Sequence, residues 1–101
     1  MQKAVQECID KYGIGTDIHT RYMDLLSEIG EMGKEIVKST NYGKRDFVMN
    51  DRIMDEIGDC LFSLLAMCNE LNIDAQDALL QSISKYERRF EANGTISSEK
   101  I

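Results

Sequence analysis

Apolar residues recur every three or four positions in four separate stretches of this chain, and each stretch predicts an amphipathic helix. The first, over 2–12, puts Val5, Cys8, Ile9 and Tyr12 on one stripe and is stopped by Gly13-Ile14-Gly15. The second, over 17–38, starts at Thr16 or Asp17 as N-cap. It gathers Tyr22, Leu25, Leu26, Ile29, Met32, Ile36 and Val37 into an arc of roughly 140°. The third, over 51–72, is capped by Asn50 or Asp51 and carries Ile53, Ile57, Cys60, Leu61, Leu64, Met67, Cys68 and Leu71. The fourth, over 74–92, follows Asp74 as cap and runs through Leu79, Leu80, Ile83, Tyr86 and Phe90 to Asn93-Gly94. These elements predict an all-α, four-helix bundle-like domain over 1–92 with a flexible tail over 93–101.

Between the second and third helices lies a polar connection, 39–50, that is long for a bundle. On the second helix Asp24, Glu28, Glu31 and Glu35 occupy an arc beside the apolar one, with Glu28 nearest its edge. Arg52, Glu56, Asp59 and Ser63 repeat that layout on the third.

Within these flanks sit two nearly identical tetrapeptides, Glu28-Ile29-Gly30-Glu31 and Glu56-Ile57-Gly58-Asp59. Residues three apart share one helix face, so two adjacent helices bring four carboxylates together. An isolated Glu-x-x-Glu is ordinarily a solvated helix face. Here the second copy has the same spacing and the same glycine, and both lie beside an apolar stripe. Like charges at that density call for a cation, and Mg²⁺ takes oxygen ligands of this kind. A di-iron site fails on ligand count, because it needs Glu-x-x-His from two helices and His19, the lone histidine, has no such glutamate. The glycines cost about 1 kcal/mol each relative to alanine inside a helix, so a close approach of backbone or ligand is expected there.

Composition narrows the rest. The chain has 101 residues, one domain's worth, and 18 acids against 12 bases give a net charge of −6. That balance argues against a nucleic-acid-coating surface but leaves room for a phosphate-bearing small molecule bridged by metal. No apolar run reaches bilayer length and no secretion signal opens the sequence, so the cytoplasm is expected. Cys8, Cys60 and Cys68 have no Cys-x-x-Cys pairing and read as reduced, buried thiols.

Lys85 and Arg89, four residues apart beside Tyr86 and Phe90, together with Arg88 form a basic cluster. It complements the helix dipole or binds phosphate oxygens. Arg52, one turn before Glu56, is a further phosphate candidate, and Lys44 and Arg45 sit in the long loop. Tyr42 and Phe47, also in that loop, are candidates to stack on a base. Nucleophile elbows and phosphate-cradling glycine loops are absent from the sequence, which leaves water as the nucleophile.

Glu28-x-x-Glu31, a spacer of 24 residues and Glu56-x-x-Asp59 together resemble the signature of MazG-like nucleotide pyrophosphohydrolases, in the all-alpha NTP pyrophosphatase superfamily. The surrounding Leu-Leu-Ser-Glu-Ile-Gly-Glu-Met-Gly-Lys-Glu-Ile and the closing Lys85-Tyr86-Glu87-Arg88-Arg89-Phe90 are similar to it as well. The resemblance, over about 2–92, implies hydrolysis of a nucleoside triphosphate to monophosphate and pyrophosphate with Mg²⁺ or Mn²⁺. By it Glu28, Glu31, Glu56 and Asp59 are the catalytic metal ligands, and Lys85 and Arg89 contact phosphate. A ligand carboxylate or Glu35 then orients or deprotonates the attacking water. A homodimer or homotetramer with sites completed across subunits is also implied. The chain has no tryptophan, a departure from relatives selective for deoxycytidine nucleotides. Phosphoribosyl-ATP pyrophosphohydrolase and a non-catalytic helical dimerisation module are the alternatives.

Overall fold

The computed structural model describes residues 1–15 and 17–97. Four helices form: α1 (Gln2–Tyr12), α2 (Ile18–Ser39), α3 (Asp51–Glu70) and α4 (Ala75–Asn93). The all-α class and the helix count agree with the hydrophobic pattern, and there is no strand among the described residues. No described helix is long and apolar enough to cross a membrane.

Local chemistry sets the ends. The Asp17, Asn50 and Asp74 side chains accept from the backbone N–H of Thr20, Arg52 and Asp77, respectively, each satisfying one orphan donor of a first turn. Thr16, the other candidate cap of α2, lies outside the described residues, as does the end of the expected tail, 98–101.

The C-termini share one device. After α1, Gly13 is left-handed (φ 62°) and Ile14 N–H returns to the Ile9 carbonyl at 3.1 Å. Ile14 then packs onto the core that Ile9 belongs to, the hydrophobic contact that accompanies this cap. Asn41 (φ 48°) and Asn72 (φ 55°) do the same for α2 and α3, through Tyr42 N–H to Val37 O and Ile73 N–H to Cys68 O. Asparagine tolerates this conformation better than most residues, so α2 runs one residue beyond 38 and α3 stops at Glu70 rather than 72.

Packing departs from the amphipathic expectation. The core is small: Val5 and Ile9 of α1 close on Leu65 and Ala66 of α3, with Ile14, Phe62 and Ala75 packed against them. Gln2 ties this end to the α3–α4 turn, donating to Asn69 Oδ1 and the Ile73 carbonyl and accepting from Ala75 N–H. The helix pairs in substantial contact are α2 with α3 and α1 with α3. Their α2–α3 seam is mostly polar: Arg21, Glu35, Ser39 and Ser63 are buried there alongside Ile53. The predicted core arcs of α2 and α3 are covered only in part: Ile53 is buried and Leu25, Met32, Cys60, Met67 and Cys68 are half-buried, while Ile29 stays 46% and Ile57 50% exposed. Helix α4 buries nothing, and Phe90 stands 59% exposed. The radius of gyration is 17.1 Å, against about 13 Å for a compact chain of this length.

Candidate metal centre

Contacts fix α2 and α3 as antiparallel neighbours. Ser39 accepts from Asn50 Nδ2 at 2.9 Å, Glu35 faces Arg52, Glu28 faces Glu56 and Asp59, and Arg21 shares a cavity with Ser63. Seven-residue steps on α2 (Arg21, Glu28, Glu35) therefore meet three- and four-residue steps on α3 (Arg52, Glu56, Asp59, Ser63). Two polar stripes face each other along the seam.

At its middle, one carboxylate oxygen from each of Glu28, Glu56 and Asp59 lies within 4.8 Å of the others. Glu28 and Glu56 are half-buried and Asp59 is exposed. Glu31 points more to solvent and is not in that tight group, yet its charge still acts on both half-buried members. Burial first, then the charges of Asp59, Glu31 and Asp24, raises the Glu28 carboxyl above its ordinary 4.5. Burial, followed by Asp59, Glu28, Glu31 and Glu35, raises Glu56.

These residues fit a hard divalent cation. Glu56 Oε2 is buried and has no hydrogen-bond partner among the described residues. A buried carboxylate oxygen without a partner and surrounded by like charge is stabilised by a proton or, at higher pH, by a bound cation. Cys60 lies close by, but burial and the same three acids push its thiol above 9.0, which keeps it protonated and unsuited to ligation. All three cysteines are free and only partly buried.

The raised carboxyls give a testable sign. The folded chain holds protons on Glu28 and Glu56 at pH values where the unfolded chain has released them. Their contribution to metal-free stability is thus fully present below 4.5 and is lost as pH rises through the raised values. Mn²⁺ affinity should run the other way, strengthening with pH as the cation displaces those protons. Calorimetry in buffers of different ionisation enthalpy reads the release directly. Binding without proton uptake by buffer in that window would count against these ligands.

Other predicted residues fall elsewhere. Arg52, exposed, sits 3.9 Å from Glu35 Oε1, and Lys38 approaches the same oxygen at 3.8 Å. With Asn50 and Asp51 they line a cavity of about 460 Å³ at the start of α3. Lys85 and Arg89 lie on α4, over the Tyr86 ring at 5.0 and 5.9 Å from its centroid, and neither lines the cavities beside the carboxylates. Tyr42 and Phe47 are both exposed. Gly30 and Gly58 have nothing within 4 Å of where a Cβ would stand, so the close approach expected there is not made within one chain. Arg21 and Phe62 line a cavity with Glu28 and Asp59 that the hydrophobic pattern does not predict, although Arg21 stands one seven-residue step before Glu28.

No curated protein and no solved structure gives a match to the chain. The model of the MazG nucleotide pyrophosphohydrolase domain matches residues 17–92, which takes in α2, α3 and most of α4. On that match, which covers both acidic tetrapeptides, the chain belongs to the MazG nucleotide pyrophosphohydrolase domain family.

Proposed function

We propose that this chain hydrolyses a nucleoside triphosphate, ribo- or deoxyribo-, to the monophosphate and pyrophosphate. The observation that carries the reading is the convergence of Glu28, Glu56 and Asp59 on one point, in a chain of this family, with Glu56 Oε2 left unpartnered. Glu28, Glu56 and Asp59, with Glu31 at the rim, would hold Mg²⁺ or Mn²⁺, which would neutralise charge on the phosphates. Water forms the new bond to phosphorus and gives up a proton to a carboxylate of the site, a ligand or Glu35, as the bridging P–O bond breaks and monophosphate and pyrophosphate separate. Arg52 and Lys38, at one end of the seam, offer donors to phosphate oxygens. Glu35 lies 3.8 Å from Lys38 and 3.9 Å from Arg52, an electrostatic attraction without a hydrogen bond.

The working unit is an oligomer, a homodimer or homotetramer. Apolar faces on α2, α3 and α4 stand open together, which ordinary monomers avoid. A second copy of the chain covers them and leaves room for Lys85 and Arg89 of one copy to meet phosphate at the other's carboxylates. A cytoplasmic location accords with the free cysteines.

The test is a panel of ribo- and deoxyribonucleoside triphosphates with Mg²⁺, scoring pyrophosphate against orthophosphate. Equal yields of monophosphate and pyrophosphate are expected; predominant orthophosphate contradicts the cleavage position. Phosphoribosyl-ATP belongs in the same panel, and faster turnover of it would move the chain to that substrate. A dimerisation module without catalysis would show no saturable Mn²⁺ binding.

A further inference from the structure

Next to the carboxylates stands a buried cation that hydrolysis does not require. The Arg21 side chain is 7% exposed. With Asp24, Glu28, Asp59, Phe62 and Ser63 it lines a cavity of about 310 Å³, at the lower end of the size range of small-molecule sites. One terminal nitrogen donates to the Gly15 carbonyl, and the other lies 3.8 Å from Asp24 Oδ2, too long for a hydrogen bond. Its Nε, also buried, has no hydrogen-bond partner among the described residues. A guanidinium carries five N–H donors, and native proteins seldom bury one with donors left over.

Charge decides what such a group can receive. Asp24, Glu28 and Asp59 set three acids against this one base, so a phosphate has a better seat at the opposite end, beside Lys38 and Arg52. An uncharged acceptor meets no such repulsion. Phe62 adds a ring to stack on, and Ser63 adds a buried hydroxyl. A flat heterocycle with a carbonyl on its edge satisfies all of these groups at once. Register agrees: Arg21 to Glu28 and Glu28 to Glu35 are each about 10 Å along the helix. That puts base and terminal phosphates on opposite sides of the carboxylates.

We propose that this cavity receives a carbonyl-bearing nucleobase, with the Arg21 guanidinium donating to its carbonyl oxygen. Thymine, uracil, cytosine and guanine qualify. Adenine has no carbonyl. Its ring nitrogens also accept, but on its Watson–Crick and Hoogsteen edges they sit beside the N6 amine, whose N–H would face the guanidinium donor to donor, so adenine is the disfavoured base. The inference rests on the hydrolytic reading of the adjoining carboxylates and extends it from phosphate to base.

Two measurements on the full chain test it. In the ¹⁵N-labelled wild type, thymidine is expected to shift the Arg21 Nε–H resonance saturably, and deoxyadenosine to leave it in place. Arg21→Met should lower kcat/KM for dTTP roughly 10- to 100-fold, the worth of a hydrogen bond from a charged donor, with dATP little changed. An Nε–H unmoved by thymidine, or equal losses on both nucleotides, overturns the proposal. Should Arg21→Met fail to fold, the wild-type titration still decides. Wild type that hydrolyses neither nucleotide sinks the hydrolytic reading, whereas hydrolysis of both with an unmoved Nε–H sinks only the base assignment.

Discussion

Glu56→Gln is expected to cut Mg²⁺-dependent turnover by on the order of 10²–10³-fold, the usual loss when one preorganised electrostatic contact to a transition state is removed. The same change should raise the thermal midpoint of the metal-free protein. Glu56 is half-buried among Asp59, Glu28, Glu31 and Glu35, all of its own sign, and its carboxyl is raised above the ordinary value for that reason and for its burial. Neutralising it relieves repulsion that the fold otherwise carries. Saturating Mn²⁺ reverses the order, because a ligand that binds only the folded state stabilises the wild type and has lost a ligand in the variant. Thermal melts with and without Mn²⁺, alongside product assays, separate these effects. A variant that is less stable without metal, or that keeps its full response to Mn²⁺, would mean that Glu56 is structural.

Ile83→Asp should break the proposed assembly. Ile83 lies midway along the α4 stripe, 42% exposed in the single chain, on a helix that buries no residue of its own. Full burial of such a side chain is worth about 1.5–3 kcal/mol. Association can bury only the exposed 42% of it, about 0.6–1.3 kcal/mol per chain, and a two-fold interface counts that twice, roughly 1.2–2.6 kcal/mol per pair of chains. Seating an unpaired carboxylate in the same contact costs more still, so association weakens by at least about tenfold. Sedimentation velocity across a concentration series reads the shift from oligomer to monomer. Hydrolysis should fall with it if Lys85 and Arg89 act on the other copy's substrate. A variant that sediments as the wild type would show that this face lies outside the interface.

The parts of the fold legible in the sequence are those that local chemistry decides. Asp17, Asn50 and Asp74 cap their helices because an Asx side chain reaches the N–H two or three residues on, whatever surrounds it. Gly13 and Gly94 end α1 and α4 in the left-handed conformation for an equally local reason. The carboxylates could be listed for the same cause, since three-residue spacing on a helix fixes a shared face. Harder to read were the ends at Asn41 and Asn72, where asparagine takes the position glycine usually holds. Arg21 was harder still, because a lone arginine seven residues from Glu28 gives no sign of burial by itself.

By itself, then, the sequence determined four helices, their caps and the two acidic steps, all set by neighbours within a turn or two. Only the tertiary structure decided which faces meet. An amphipathic pattern says that an apolar arc is to be covered but does not say by what, and here α2 and α3 turn their polar stripes toward each other. That choice gathers Glu28, Glu56 and Asp59, buries Arg21 beside them, and leaves Ile29, Ile57 and Ile83 facing outward. Periodicity along one chain cannot distinguish a surface that covers itself from one that waits for a second copy, because both bury the same residues in the end.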